Sequence, residues 1–126
     1  MNLPANLEPA AVRSAQALLD RVGQARAVVV ATEDGFQVAC AARETIDASR
    51  LAAITSSMAA IGEVVSSETG LGAVRCVMIE ADAGYLVMRA TRRAGMGLVV
   101  AALVARDALL GLVIHGVGET ARELAQ

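Results

Sequence analysis

The longest helical pattern in the chain, from about residue 47 to residue 68, includes twelve consecutive residues, 51–62, without a charged side chain. Projected at about 100° per residue, the pattern places its large apolar side chains on one stripe. This stripe consists of Leu51, Ile54, Met58, Ile61 and Val65. A surface helix normally carries charges opposite its apolar stripe. Their absence predicts a helix that is covered on more than one side.

The face opposite this stripe carries only small side chains. They are Ser49, Ala52, Ala53, Ser56, Ala59 and Ala60. Small residues let another helix approach closely, so we expect the stripe to face the core and the small face to form a dimer seam or a protein-docking surface. Arg50 and Glu63 flank the small face and are expected to add rim contacts to a partner. The alternative is a central helix that is buried within one domain.

Turn and capping signals divide the rest of the chain into seven further elements. A first helix has Pro9 in its first turn and ends at Gly23. Predicted strands span residues 27–32, 36–42, 74–80, 85–90 and 97–104. Asp34-Gly35 joins the first two strands as a hairpin, and a turn at residues 82–84 joins the third and fourth. Asp107 can cap a last helix. The order is helix, two strands, helix, three strands, helix.

The first and last predicted strands are apolar on both faces, which is typical of central strands covered above and below. Hairpins join strands one to two and three to four, so the sheet is expected to be mostly antiparallel. We therefore predict an α/β (α+β) fold, a three-layer sandwich. The long helix lies on one face of a five-stranded sheet and the terminal helices lie on the other. One helix about 10 Å wide cannot cover five strands spaced about 4.8 Å apart, which favours a twofold mate.

Composition and charge exclude several classes of function. At 126 residues the chain has the size of a single domain, 1–126, and its net charge is −2. All eleven basic residues are arginine, with Arg92-Arg93 in a predicted loop as the only pair, and Phe36 and Tyr85 are the only aromatics. We therefore expect no nucleic-acid partner. The absence of lysine excludes a Walker-type phosphate loop and Schiff-base chemistry. The longest apolar run, 96–105, is too short to cross a bilayer, so no membrane insertion is expected.

Candidate catalytic and metal-binding residues are few. His115 is the only histidine, which excludes a two-histidine metal site within one chain. No G-x-S-x-G sequence is present to hold a nucleophilic serine. Cys40 and Cys76 do not have the spacing of a metal or redox motif, and we interpret them as reduced thiols. We therefore expect a non-enzymatic, cytoplasmic protein without a catalytic residue, cofactor or metal.

Four groups of residues, in this order along the chain, resemble the roadblock/dynein light chain family. They are Ala31-Thr32-Glu33-Asp34-Gly35, Leu51-Ala52-Ala53-Ile54 with Gly62, Ile79-Glu80 with Gly84-Tyr85-Leu86, and Leu110-Gly111-Leu112. None of them is a specific motif by itself. Their order and spacing over most of the chain carry the resemblance, which is to bacterial MglB-like members in particular.

The resemblance implies a homodimer in which the third strands pair across the twofold and the two long helices lie together on one face. It also implies that the paired helices bind a small Ras-like GTPase, in some members stimulating hydrolysis without supplying a catalytic residue. Cys76 would then lie at the dimer interface, near its mate. Two other functions remain open, a small-molecule sensory domain and a structural adaptor in a larger complex. A sensor normally needs an apolar pocket with a few convergent polar groups.

Overall fold

The computed structural model describes residues 2–125 and contains eight elements in the predicted order. Their bounds are α1 Leu7–Arg21, β1 Ala25–Thr32, β2 Gln37–Ala42, α2 Ala48–Thr69, β3 Val77–Ala81, β4 Gly84–Arg93, β5 Met96–Ala105 and α3 Leu110–Leu124. The strands form one sheet in the order β2-β1-β5-β4-β3, and every neighbouring pair is antiparallel. The predicted fold class is confirmed.

β5 is the central strand of the sheet, with β1 on one side and β4 on the other. Val100, near its middle, lies opposite Val30 of β1 and Arg89 of β4. Both β1 and β5 are buried along nearly their whole length. Side chains on both faces of these strands pack against helices, which explains their continuous apolar sequences. The interpretation of the two strands as interior strands of the sheet is confirmed.

α1 and α3 cover one face of the sheet, and α2 covers the other. The larger hydrophobic cluster lies under α1 and α3 and includes Leu18, Val30 and Val117. The smaller cluster lies under α2 and includes Val29 and Ala52. The neighbouring residues Val29 and Val30 thus enter different clusters, because successive side chains of a strand point to opposite faces. The predicted three layers are therefore present.

β4 is longer than the sequence predicted, and the reason is the turn that follows it. Strand pairing continues to Arg93 opposite Met96, which leaves only Ala94 and Gly95 in the turn. Both turn residues have positive φ, 50° for Ala94 and 79° for Gly95, as a type I′ hairpin turn requires. The expectation that Arg92-Arg93 lies in a loop is therefore wrong, because both residues belong to β4. Asn or Asp normally marks such a turn, and Ala94 does not carry that signal.

α1 begins at Leu7 and has Pro9 in its first turn as predicted, where a missing N–H breaks no helical hydrogen bond. The starts of two other elements differ from the prediction. α3 begins at Leu110 with Leu109 as its N-cap, so the prediction that Asp107 caps this helix is wrong, because residues 106–107 form a turn after β5. β3 begins at Val77 rather than at residue 74, because pairing with β4 begins only at Val77. Residues 74–76 connect α2 to β3 as irregular backbone.

The turn between β4 and β5 gives a first test of the fold. An alanine at a positive φ carries a steric cost of about 1 kcal/mol that glycine avoids. We expect Ala94→Gly to raise the free energy of unfolding by about 0.5–1 kcal/mol in urea denaturation. The matched control is Ala90→Gly, an exposed position inside β4, where the same change should lower stability by about 0.5–1 kcal/mol. A loss of stability in Ala94→Gly would show that the turn has a different conformation in solution.

Candidate interaction surface

α2 is a helix of 22 residues with a defined start and end. The side chain of Asp47 accepts a hydrogen bond from the backbone N–H of Arg50 at 3.0 Å, which caps the first turn. Gly70, with φ 70°, ends the helix, and its N–H donates to the carbonyl of Ser66. At about 1.5 Å per residue, the helix is about 33 Å long. It therefore has the length to cross the sheet on the side opposite α1 and α3.

Only part of the small face of α2, at Ala52 and Ser56, is buried against the sheet. Ala52 is fully buried, and Ser56 is 5% exposed. The Ser56 hydroxyl donates to the carbonyl of Thr32 at the end of β1, 2.7 Å away. The prediction that Ala52 and Ser56 form part of an interface between proteins is therefore wrong. The physical reason is that Val29 and Met88 already fill the layer beneath α2, so only small side chains let the helix backbone come this close.

The large apolar side chains of α2 face outward. Ile54, Ile61 and Val65 are 47%, 55% and 50% exposed, so their assignment to the core is wrong. Leu51 and Met58 are half-buried and pack against the smaller cluster. Exposed Val64 adds to the outward surface, and we call Ile54, Ile61, Val64 and Val65 the exposed stripe. Four exposed aliphatic side chains on one helix exceed the scattered single residues that are normal on a protein surface.

The other predicted interface residues lie at or near the surface of the protein. Ser49, Arg50, Ala53, Ala60 and Glu63 are exposed, while Ala59 and Cys76 are half-buried. Contact of these residues with a partner stays a prediction. Cys40 in β2 and Cys76 just before β3 are free thiols. Burial raises the pKa of the Cys40 thiol, which keeps that side chain protonated and weakly nucleophilic at neutral pH.

β3 contributes two exposed apolar residues that no sequence pattern assigned to an interaction surface. This strand is at the edge of the sheet and pairs with β4 alone, so one side of its backbone is open to another strand. Met78 is 42% and Ile79 39% exposed, on opposite faces of the sheet. Ile79 lies opposite Leu86, which belongs to the cluster beneath α2. The sequence feature that indicates this surface is a short aliphatic strand beside a tight turn. The edge strand also lies next to α2.

The contact between α2 and β3 brings the exposed stripe and the open edge together. A Cβ at Gly62 would lie 2.6 Å from Val77 Cγ2, so the helix backbone touches the first residue of β3. Met58, Ile61 and Val65 line a shallow depression that continues to Val77. The exposed stripe and the edge strand therefore form one continuous apolar surface.

A separate groove of about 730 Å³ lies on the other flank of α2. Its lining includes Ala59, Ala60, Glu63, Val74, Leu98 and Val99. At its rim Arg92 Nη1 and Glu33 Oε2 lie 3.6 Å apart, and both side chains are more than half exposed. The charged groups are thus solvated, whereas a small-molecule site places a few buried polar groups around an apolar pocket.

Among the described residues, the surface offers little that suits metal binding or spans a membrane. Within residues 2–125, no group of three or more His, Cys, Asp or Glu side chains is placed to hold a metal ion. The His115 side chain is 69% exposed on α3, and its Nε2 lies 3.8 Å from Glu119 Oε1. Among the helices that the structure describes, none is long and apolar enough to cross a membrane.

Comparison with known families agrees with this geometry. The model of the Roadblock/LC7 domain matches residues 12–102, which is more than half of the chain. The protein belongs to the Roadblock/LC7 domain family. The resemblance stated from the sequence is thus confirmed for the family. No curated protein matches the chain.

Solved structures share the fold of this Roadblock/LC7 protein at low sequence identity. A Roadblock/LC7 domain from Streptomyces avermitilis has a TM-score of 0.79 and 22% identity, over 90% of this chain and 92% of its own. MglB of Myxococcus xanthus has a TM-score of 0.81 and 19% identity, over 99% and 92% of the two chains. The gliding protein MglB of Thermus thermophilus has the same two values, over 98% and 91%. These similarities establish the fold.

The orientation of α2 is tested by two substitutions on its small face. Ala52→Leu places a larger side chain in a filled layer, so it should lower the free energy of unfolding by about 1–3 kcal/mol. Ala60→Leu makes the same change at an exposed position and should shift stability by no more than about 0.5 kcal/mol. Urea denaturation of both variants measures the difference. Equal effects would mean that the small face of α2 does not pack on the sheet as described.

Proposed function

We propose that this Roadblock/LC7 protein is a non-enzymatic regulatory protein with a single domain. In the proposal it is a cytoplasmic homodimer that binds a small Ras-like GTPase through its paired α2 helices and regulates it. The observation that carries the proposal is the exposed stripe of α2 beside the open edge of β3. Membership of the family supports the same interpretation, since the resemblance implies both the dimer and the GTPase partner.

The exposed stripe supports a homodimer because its four side chains are aliphatic, with charges only at its two ends, Arg50 and Glu68. Four large side chains are each between 47% and 60% exposed. Covering the exposed half of such a side chain is worth about 1 kcal/mol. A twofold axis doubles the gain, because the same residues of each protomer enter the contact. A polar partner surface would gain much less from these side chains, which favours a second copy as the occupant.

The open edge of β3 supports the same twofold. Its unpaired backbone groups would be satisfied by the β3 strand of the second protomer, and the sheet would continue across the axis. Ile79 and the exposed stripe would then be covered in one contact, since they share a face of the sheet. An MglB with tetrameric arrangement has a related fold, with a TM-score of 0.72 and 19% identity. Self-association therefore has a precedent on this architecture.

The remaining flank of α2 supports a protein partner for the dimer. Ala53, Ala60 and Glu63 stay exposed there, whereas Arg50 lies one turn before Ile54 and borders the exposed stripe. The flank is smooth, with charged residues at its rim, which is the usual arrangement of a protein-docking surface. The surface supplies packing contacts, so any effect on GTP hydrolysis would come from positioning groups of the GTPase itself.

The dimer is tested by placing a charge in the exposed stripe. Ile61→Glu should convert a dimer to a monomer, because the contact would bury a carboxylate without a partner at a cost of about 3–5 kcal/mol. The molar mass is measured by light scattering at low micromolar concentration with reductant present. Ala17→Glu introduces the same charge at an exposed position on α1 and should leave the mass unchanged. A monomeric wild-type protein, or a dimeric Ile61→Glu variant, would contradict the proposed interface.

GTPase binding is tested by a charge on the other flank of α2. Ala60→Glu should keep the dimer and weaken binding of a small Ras-like GTPase at least about tenfold, because a carboxylate would be desolvated in the contact. Calorimetric titration with the GTPase loaded with GDP or with a non-hydrolysable GTP analogue measures the change, with Ala17→Glu as the control. A faster hydrolysis rate in the complex identifies a regulator, and an unchanged rate identifies an adaptor. Absence of binding in both nucleotide states would overturn the GTPase proposal.

A further inference from the structure

Arginines surround the C-terminal half of α3, on the sheet face opposite α2. Arg21, Arg89, Arg93 and Arg122 approach this half of the helix from three elements, α1, β4 and α3 itself. The two carboxylates in the same stretch are Glu119 and Glu123. The excess of positive charge is local, since the whole chain has a net charge of −2. Such a concentration of one sign needs an explanation in the structure.

Three of these arginines have partners in the structure. Arg21 Nη2 donates to the Thr120 hydroxyl at 3.4 Å, and Arg93 Nη1 donates to the carbonyl of Leu124 at 3.1 Å. Arg122 forms an ion pair with Glu119. These contacts explain why the three side chains lie where they do, because cations near a helix C-terminus are favourable.

Arg89 differs from the other three. Within the described range, 2–125, its guanidinium makes no hydrogen bond and no ion pair. It is nevertheless half-buried and lies in the middle of β4, opposite Val100 of the central strand. Among the described residues, only Thr55 Oγ1 is a buried side-chain polar atom without a partner, so the Arg89 guanidinium is still reached by solvent. The position of Arg89 therefore leaves donors available for a ligand.

Gly118 brings Arg89 and Arg122 together. A Cβ at Gly118 would lie 3.5 Å from Arg89 Nη1, and 3.7 and 3.8 Å from Arg122 Nη1 and Nη2. The two guanidiniums thus converge on one point above the α3 backbone, although they carry the same charge. Their repulsion is only partly offset, since the single carboxylate of Glu119 is paired with Arg122. A further negative group between the two guanidiniums would offset this repulsion.

We propose that Arg89 and Arg122 form a binding site for a phosphate group above Gly118. Guanidiniums hold oxyanions through paired N–H donors at about 2.8 Å. Two oxygens of one tetrahedral anion can reach a donor on each side chain, whereas a single chloride reaches them less well. The phosphate group belongs either to the free ion or to a phosphorylated side chain of a partner. Because the site lies on the face opposite α2, it does not depend on the proposed GTPase surface.

The test uses the full-length protein and inorganic phosphate at constant ionic strength. We expect saturable shifts of the Arg89 and Arg122 Nε–H resonances and of the Gly118 amide in NMR titration. Arg89→Gln removes one positive charge and the paired N–H donors of the guanidinium, so it should weaken phosphate binding at least about tenfold. Arg50→Gln removes the same charge from α2, on the other face, and should leave binding unchanged.

Thermal unfolding provides a second readout, since a ligand that binds the folded state stabilises it. Phosphate also stabilises proteins non-specifically, so the comparison between variants carries the result. Wild type and Arg50→Gln should gain more stability from phosphate than Arg89→Gln does. Without phosphate, Arg89→Gln should be at least as stable as wild type, because it relieves the repulsion with Arg122. Shifts that do not saturate, or binding that survives Arg89→Gln, would overturn the site.

A second titration distinguishes the two sources of the phosphate group. The peptide glycyl-phosphoseryl-glycine replaces inorganic phosphate, and the same peptide without phosphate is the control. Tighter binding of the phosphopeptide than of the ion identifies a phosphorylated side chain as the ligand. Equal or weaker binding identifies the free ion. Binding of the unphosphorylated peptide at the same resonances would overturn the assignment to phosphate.

Discussion

The close approach of α2 to the sheet determines most of what this protein presents to its surroundings. Ala52 is completely buried between helix and sheet, and the Ser56 hydroxyl bonds to the end of β1. Both contacts require small side chains, because the valines and methionine below already fill the layer. The large aliphatic residues of the helix are consequently turned to the outside. The packing of the protomer and its exposed apolar surface therefore have the same cause.

The sheet supports two different surfaces on its two faces. On the α2 face, the exposed stripe and the edge of β3 form an apolar surface that suits another protein. On the opposite face, α1 and α3 are packed over the larger cluster, and arginines from β4 and α3 converge beside Gly118. One surface offers apolar contact area and the other offers charge. The proposed contacts with a macromolecular partner and with an anion therefore lie on opposite faces of the sheet.

Much of the fold could be predicted from local patterns in the sequence. The continuous apolar stretches of β1 and β5 indicated interior strands, and Asp34-Gly35 indicated the first hairpin. The β4–β5 turn was missed because Ala94 has the conformation of a residue that is usually Asn, Asp or Gly. The candidate interface on α2 stays a prediction, and two of its residues, Ala52 and Ser56, are buried against the sheet instead. Met78, Ile79 and Arg89 were not assigned to a surface or a site, since strand periodicity alone does not show which residues lack a neighbour.

By itself, the sequence determined the order of the elements, the antiparallel sheet and a long helix with one small face and one aliphatic face. Only the tertiary structure decided which face of α2 meets the sheet. Periodicity ranks faces by hydrophobicity, and this ranking favoured Ile54, Ile61 and Val65 as core residues. Which face of α2 packs on the sheet depends instead on the space left above the sheet. That space is set by side chains more than twenty residues away in the chain. Shape complementarity between distant segments is a property of the folded chain, and no local pattern contains it.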